Sequence, residues 1–169
     1  MTFGNWTRSL ACAGALLVAV AAPGAAPVAA AAPTVLVVGD ALPALSLRDQ
    51  NDAAVRIDAS TKILLFTRDM GGGGLVKQAL AEGGKDTLAA AGAVYVSDVS
   101  GMPSLVRRAF AMPSLRKRGY PVALDENGEA TRSLPSAEGK CTVLSLDSGK
   151  ITAITFVSTS AEVTAALKR

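Results

Sequence analysis

Two adjacent charged residues, Arg68 and Asp69, directly follow the apolar run Ile63–Phe66 and precede four consecutive glycines. Asp98 closely follows a second apolar run, Ala93–Val96. Because open α/β sheets bind ligands at the carboxyl ends of their strands, the three charged side chains could converge on one crevice. A guanidinium and two carboxylates there could bind a polar ligand. The alternative is structural: a surface ion pair, a turn residue and a cap for the next helix.

The glycine run Gly71–Gly74 is a second candidate, because a glycine-rich turn before a helix can point backbone N–H groups at an anion. Gly71 and Gly72 are therefore included among the ligand-binding candidates. The phosphate-loop pattern fails, however, since Lys77 is followed by Gln78 instead of Ser or Thr. A flexible structural turn is the alternative explanation of the run.

Basic residues are concentrated in the segment from residue 107 to residue 118. Its cations are Arg107, Arg108, Arg116, Lys117 and Arg118. Such a cluster can meet an acidic partner or lipid headgroups, and Arg107, Arg116 and Arg118 are accordingly candidates for partner docking. The alternative is a solvated helix face.

The chain has two cysteines, Cys12 and Cys141, and no histidine. The lack of histidine excludes Ser-His-Asp and Cys-His catalysis, His-ligated zinc and histidine pH switching. Cys12 lies in an apolar N-terminal segment that has the pattern of a cleaved signal peptide, described below. Cleavage would leave Cys141 as the one thiol. One thiol cannot support C-x-x-C exchange or a two-cysteine peroxidase cycle. Cys141 is either a small buried apolar residue or a weak candidate for a reactive thiol.

The elements that must position these residues alternate between strands and helices. An extended hairpin is predicted over residues 42–57, buried strands over 62–66 and 93–96, and a helix over 75–81. Asp86 is predicted to cap a second helix, Pro103 to open a third, and residues 121–124 to form a short strand. Residues 142–157 have the pattern of an antiparallel hairpin, and Ser160 is predicted to cap a last helix. The sequence thus predicts an α/β domain with a mixed sheet.

The first 30 residues have the layout of a secretory signal peptide. One positive charge within Met1–Arg8 precedes the apolar stretch Leu10–Ala22, and small residues follow around Ala30. This stretch is shorter than the roughly 20 residues that a membrane-spanning helix needs. We therefore expect cleavage, a periplasmic or secreted bacterial protein without a transmembrane segment after it, and one domain over residues 31–169. Loss of Arg8 leaves 16 Lys and Arg against 14 Asp and Glu, a net charge of +2 that is too weak to indicate nucleic acid.

Four segments carry a resemblance to a known superfamily. They are Val38–Pro43 with Leu45, Leu47 and Asp49; Ile63–Phe66; Tyr120–Asp125 with Gly128 and Glu129; and Val143–Leu146 with Asp147, Gly149 and Lys150. In order and spacing they resemble the thioredoxin-like superfamily, in particular its peroxiredoxin-type and periplasmic redoxin-like branch. The resemblance covers nearly all of residues 31–169 and implies a three-layer α/β sandwich with a mixed central sheet, ending in a β-hairpin and a helix.

In that superfamily a reactive cysteine stands at the helix start after the strand that Ile63–Phe66 resembles, where its pKa is lowered. Residues 67–74 hold no cysteine here. The superfamily also places a cis-proline beside that turn, and Cys141 stands at about this position. Some secreted relatives that resemble the chain are described as flavin-containing dehydrogenases, which implies FAD or FMN as an alternative cofactor, although the residues show no flavin site.

The sequence therefore predicts an exported thioredoxin-like pseudo-enzyme that acts as a non-catalytic binding or accessory module, with no metal and no cofactor. Its partner is expected to be a small molecule or a periplasmic protein. Two enzymatic alternatives stay open: a redox enzyme that uses Cys141 as its single thiol, and a flavin-dependent dehydrogenase-like protein. A structural partner that docks through the basic segment is a third alternative.

Overall fold

The computed structural model of the protein describes residues 34–168, so the predicted signal peptide of residues 1–30 lies outside the described residues. The described part contains seven strands and five α-helices, with one π-helical segment between the third and fourth helices. In chain order the elements are β1 (Leu47–Arg48), β2 (Ala54–Val55), β3 (Ile63–Thr67), α1 (Met70–Ala79), α2 (Gly84–Ala90), β4 (Ala93–Asp98), α3 (Ser104–Val106), the π-helical segment (Arg107–Ala111), α4 (Met112–Arg116), β5 (Ala123–Asp125), β6 (Cys141–Asp147), β7 (Lys150–Val157) and α5 (Ser160–Leu167).

All seven strands form one sheet in the order β2-β1-β5-β4-β3-β6-β7. β3, β4 and β5 are parallel neighbours, whereas β6 pairs antiparallel with β3 and with β7, and β1 pairs antiparallel with β5. The sheet is therefore mixed, as predicted. Its central strand β3 is an unbroken apolar run because both of its faces are covered: Leu64, Leu65 and Phe66 are fully buried.

Different segments of the chain cover the two faces of the sheet. Leu65 and Tyr95 belong to a cluster that includes the helical residues Val76 of α1 and Val163 of α5. Their neighbours along the strands, such as Leu64, point to the opposite face, because side chains alternate along a strand. Within the described region, the buried residues of that second cluster come from strands, loops and turns, so non-helical chain such as that around Leu45 and Leu134 covers this face of the sheet.

Several predicted boundaries are corrected. Helix α1 begins at Met70 instead of residue 75, so all four glycines are helical. Gly83, in the left-handed conformation, precedes α2 in the capping position expected of Asp86, which lies in the first turn. The helix expected after Pro103 is interrupted by the π-helical segment, and its apolar residue Phe110 is 73% exposed. The hairpins β1–β2 and β6–β7 confirm the predictions for those segments.

Candidate functional site

Two of the residues predicted to converge, Arg68 and Asp98, are in direct contact. β3 and β4 are parallel and in register, so both residues stand at the same edge of the sheet. The Nε atom of Arg68 donates to Oδ2 of Asp98 at 3.1 Å, and its other two nitrogens donate to the Thr131 carbonyl oxygen at 2.9 Å and to Ser136 Oγ at 3.2 Å. The guanidinium also lies 5.3 Å from the centre of the Phe66 ring. Arg68 therefore joins two strand ends to the loop that precedes β6.

Asp69 uses both carboxylate oxygens in backbone contacts. Oδ1 accepts a hydrogen bond from the Gly72 amide at 2.8 Å and thereby caps α1. Oδ2 accepts from the Gly139 amide at 2.8 Å, across 70 residues of sequence. Asp69 thus caps a helix, which was the structural alternative to ligand binding. It also holds the loop before β6 through a hydrogen bond.

The glycines allow this loop to pack closely on the first turn of α1. A Cβ atom on Gly72 would lie 2.9 Å from the Lys140 carbonyl carbon and still closer to its oxygen. A Cβ atom on Gly71 would lie 3.0 Å from Gly139 Cα, whereas one on Gly74 would meet nothing within 4 Å. Gly71 and Gly72 therefore have a packing role at this contact.

Cys141 begins β6 directly beside this turn, because the next residue, Thr142, pairs with Phe66 of β3. Its side chain is completely buried. Burial raises the pKa of the Cys141 thiol from its ordinary value of 9.0 to about 12. Nearby in the core, Thr67 Oγ1 and the Tyr95 hydroxyl share a hydrogen bond of 3.0 Å, and burial raises the pKa of Tyr95 as well. A buried pair of hydroxyl groups and a protonated thiol therefore lie in the core beside the turn between β3 and α1.

The three docking candidates have unlike surroundings. Arg107 pairs with Glu126 through NH2 and Oε2 at 3.2 Å, and its NH1 donates to the carbonyl oxygen of the same residue. Arg116 Nε donates to the Gln50 carbonyl oxygen at 3.0 Å, which ties α4 to the β1–β2 hairpin. Arg118 is half-buried, and its Nε has no hydrogen-bond partner within residues 34–168. Within the described residues, Arg118 is thus the one docking candidate whose Nε or charge is not paired in this way.

The sequence did not predict the groups that bind the Arg68 guanidinium besides Asp98. Thr131 supplies the carbonyl for Arg68, and its amide and hydroxyl both donate to Asp125 Oδ2, at 2.8 and 2.9 Å. Ser136 supplies the hydroxyl for the same guanidinium. The only local signal was the turn-forming sequence after β5. It predicts a turn but does not predict which strand end the turn will contact.

Two further findings bear on what this region can do. Within residues 34–168, no group of three or more cysteine, aspartate or glutamate side chains is placed to hold a metal ion. Over the same residues, every helix is too short or too polar to cross a lipid bilayer.

Several solved structures have a similar fold. A peroxiredoxin-like protein from Aquifex aeolicus superimposes with a TM-score of 0.52 at 14% sequence identity, over 81% of this chain and 89% of that one. A putative thiol:disulfide interchange protein DsbE from Chlorobium tepidum gives a TM-score of 0.51 at 19% identity, over 78% and 99% of the two chains. The peroxidoxin BcpB from Mycobacterium tuberculosis gives 0.50 at 18% identity, over 78% and 96%.

These similarities show that the chain has a thioredoxin-like α/β fold, as its sequence motifs predicted. At this level of identity they show the fold alone, and activity must be argued from the residues present. No protein-family model and no curated protein sequence matches the chain.

Proposed function

We propose that this protein is an exported thioredoxin-fold module that binds a ligand or partner and carries out no thiol chemistry. The observation that carries the proposal is the state of the one thiol left in the domain. Cys141 is fully buried, and burial raises its pKa to about 12. At pH 7 the reactive thiolate would then be present in on the order of one molecule in 10⁵.

The turn at the end of β3 supports the same conclusion. Thioredoxin-fold redox proteins need an accessible thiolate there, and residues 67–74 hold none. Its charged groups are instead engaged with one another and with backbone: Arg68 with Asp98, and Asp69 with Gly72 and Gly139. These contacts favour a rigid anchor over a site that exchanges partners during a reaction.

The proposal places the mature protein in the periplasm or outside the cell, on the strength of the signal-peptide pattern of residues 1–30. It includes no metal and no flavin. The proposed partner is a small molecule or a protein of that compartment. Nucleic acid is not proposed as a partner, because the net charge is weak.

The test is an activity assay on the purified protein carrying Cys12→Ser, so that Cys141 is the one thiol present. We expect no reduction of insulin disulfides and no turnover of peroxide with a thiol reductant. Turnover that is abolished by Cys141→Ser would overturn the proposal and establish single-thiol chemistry.

Flavin is tested separately by absorbance. The protein is expected to be colourless as isolated and to gain no protein-bound absorbance near about 450 nm after incubation with FMN or FAD and desalting. Stoichiometric retention of either flavin would contradict the cofactor-free proposal and favour the dehydrogenase-like alternative.

A further inference from the structure

A second concave region lies at the opposite end of α1 from Asp69. It is an open groove of about 500 Å³, formed where the end of α1, the start of α2 and the chain between α4 and β5 meet. Leu80 and Tyr120, both almost fully buried, contribute to its apolar floor. A Cβ atom on Gly84 would lie 2.5 Å from the Tyr120 ring, so the α2 start packs directly on this floor.

The charged side chains of the groove are mostly basic. Lys77, Lys85, Lys117 and Arg118 line it, against one carboxylate, that of Asp86. The two ion pairs found within residues 34–168 lie elsewhere and involve none of these four cations. Four cations therefore outnumber one carboxylate around a concave surface, and this excess of positive charge raises the local concentration of anions.

Arg118 is the strongest indication that an anion belongs here. Its side chain is half-buried, its Nε is inaccessible, and that atom has no hydrogen-bond partner within the described residues. The neighbouring Tyr120 hydroxyl is likewise buried and has no hydrogen-bond partner of acceptable geometry there, but the Arg118 guanidinium lies close enough to lower the pKa of Tyr120 by its charge and as a hydrogen-bond donor, against the larger upward effect of burial. A buried Nε–H group without an acceptor is costly, and the Arg118 charge has no ion-pair partner within the described residues. An anionic ligand bound to the same guanidinium would stabilise that charge.

We propose that this groove is a binding site for a small, soluble phosphorylated molecule, with Lys77, Lys117 and Arg118 around its phosphate groups. A phosphate offers several acceptor oxygens to these donors, and guanidinium binds it in a bidentate manner. The apolar floor beside Tyr120 would contact the uncharged part of the molecule. The concave shape favours a soluble ligand over a flat membrane surface.

The probe for the test is inorganic pyrophosphate, titrated into the purified protein by isothermal calorimetry. We expect one binding site, and we expect Lys117→Ala and Arg118→Ala each to weaken binding about tenfold. Arg108→Ala is the matched control, because Arg108 is an exposed cation of the same basic segment that does not line the groove. It should change the affinity by less than about twofold, since only long-range attraction is lost.

Three results would overturn the proposal: no binding by the unmodified protein, equal weakening by Arg108→Ala, or unchanged binding in both Lys117→Ala and Arg118→Ala. Lys117 is exposed, so the test remains decisive even if Arg118→Ala fails to fold. Sedimentation with phosphatidylglycerol vesicles forms a second arm. Vesicle binding that is lost with Lys117→Ala, without pyrophosphate binding, would assign the phosphate to a lipid headgroup and reject the soluble ligand. The thiol assays described above are independent of every one of these outcomes.

Discussion

Replacing Gly72 by alanine tests whether the glycine run serves close packing. The new Cβ would lie 2.9 Å from the Lys140 carbonyl carbon and 3.3 Å from Thr67 Cγ2, and it would overlap the Lys140 carbonyl oxygen. Carbon atoms in contact are ordinarily separated by about 3.5–4.0 Å, so the helix or the loop must move. Because the obstructing group is backbone, we expect the overlap to cost roughly 1–3 kcal/mol, as overpacking does in protein cores.

Gly74→Ala is the matched control in the same helix, since a Cβ there meets nothing within 4 Å. Alanine is better than glycine in a helix by about 0.5–1 kcal/mol, and both variants receive this benefit. The difference between their free energies of unfolding therefore isolates the overlap. Gly74→Ala should be more stable than the unmodified protein, and Gly72→Ala should be less stable than Gly74→Ala by roughly 1–3 kcal/mol.

The measurement is urea unfolding followed by far-ultraviolet circular dichroism, with both variants fitted to the same slope against denaturant. Gly71→Ala, whose Cβ would lie 3.0 Å from Gly139 Cα, should fall between the other two. Equal stability of Gly72→Ala and Gly74→Ala would refute the packing argument, and the glycine run would then need another explanation.

Further predictions concern the cap and the buried thiol. Asp69→Ala should lower the free energy of unfolding by roughly 2 kcal/mol in urea titrations, because it removes the α1 cap and the bond to Gly139. Asp69→Ser, which can still cap, should lose only about half as much. Stability should also fall as pH rises from about 9 towards 12, because the unfolded thiol ionises near 9.0 and the folded one near 12. In a Cys12→Ser background, Cys141 should react with a thiol reagent at pH 8 only after denaturation.

Each of these predictions has a clear contrary result. Equal losses for Asp69→Ala and Asp69→Ser would mean that the α1 cap contributes nothing, whereas no loss for Asp69→Ser would mean that the bond to Gly139 contributes nothing. For the pH dependence, Cys141→Ala is the control. The thiol can lower the free energy of unfolding by at most about 1.4 kcal/mol per pH unit, and this part of the decline should be absent in the variant. The part due to Tyr95, whose pKa is also raised by burial, should remain. An unchanged alkaline profile, or rapid labelling of native Cys141, would show that the thiol is not buried as described.

Much of the architecture could be predicted from local sequence. The unbroken apolar run Ile63–Phe66 indicates a strand covered on both faces, and β3 is such a strand. The turn signal Asp147–Gly149 between two apolar stretches indicates the β6–β7 hairpin in its observed place. Because parallel strands end at one edge of a sheet, the proximity of Arg68 and Asp98 also followed from the predicted strand ends.

Other features depended on contacts between residues distant in sequence. Four glycines have poor intrinsic helix propensity, so local rules placed the start of α1 too late. The Asp69 cap and the packing of the Lys140 loop offset that penalty, and neither the loop contact nor the bond to Gly139 is visible in local sequence. The same holds for Cys141, whose sequence context allowed a reactive or a buried thiol.

By itself, then, the sequence determined the order of strands and helices, the mixed sheet and the lack of a thiol at the β3 turn, because hydrophobic period, turn chemistry and residue type are local properties. The tertiary structure decided that Arg68 and Asp69 hold the loop before β6, and that Arg118 faces a groove without an acceptor for its Nε within residues 34–168. Burial and hydrogen bonding depend on which distant segments meet, and only the packed chain brings those segments together.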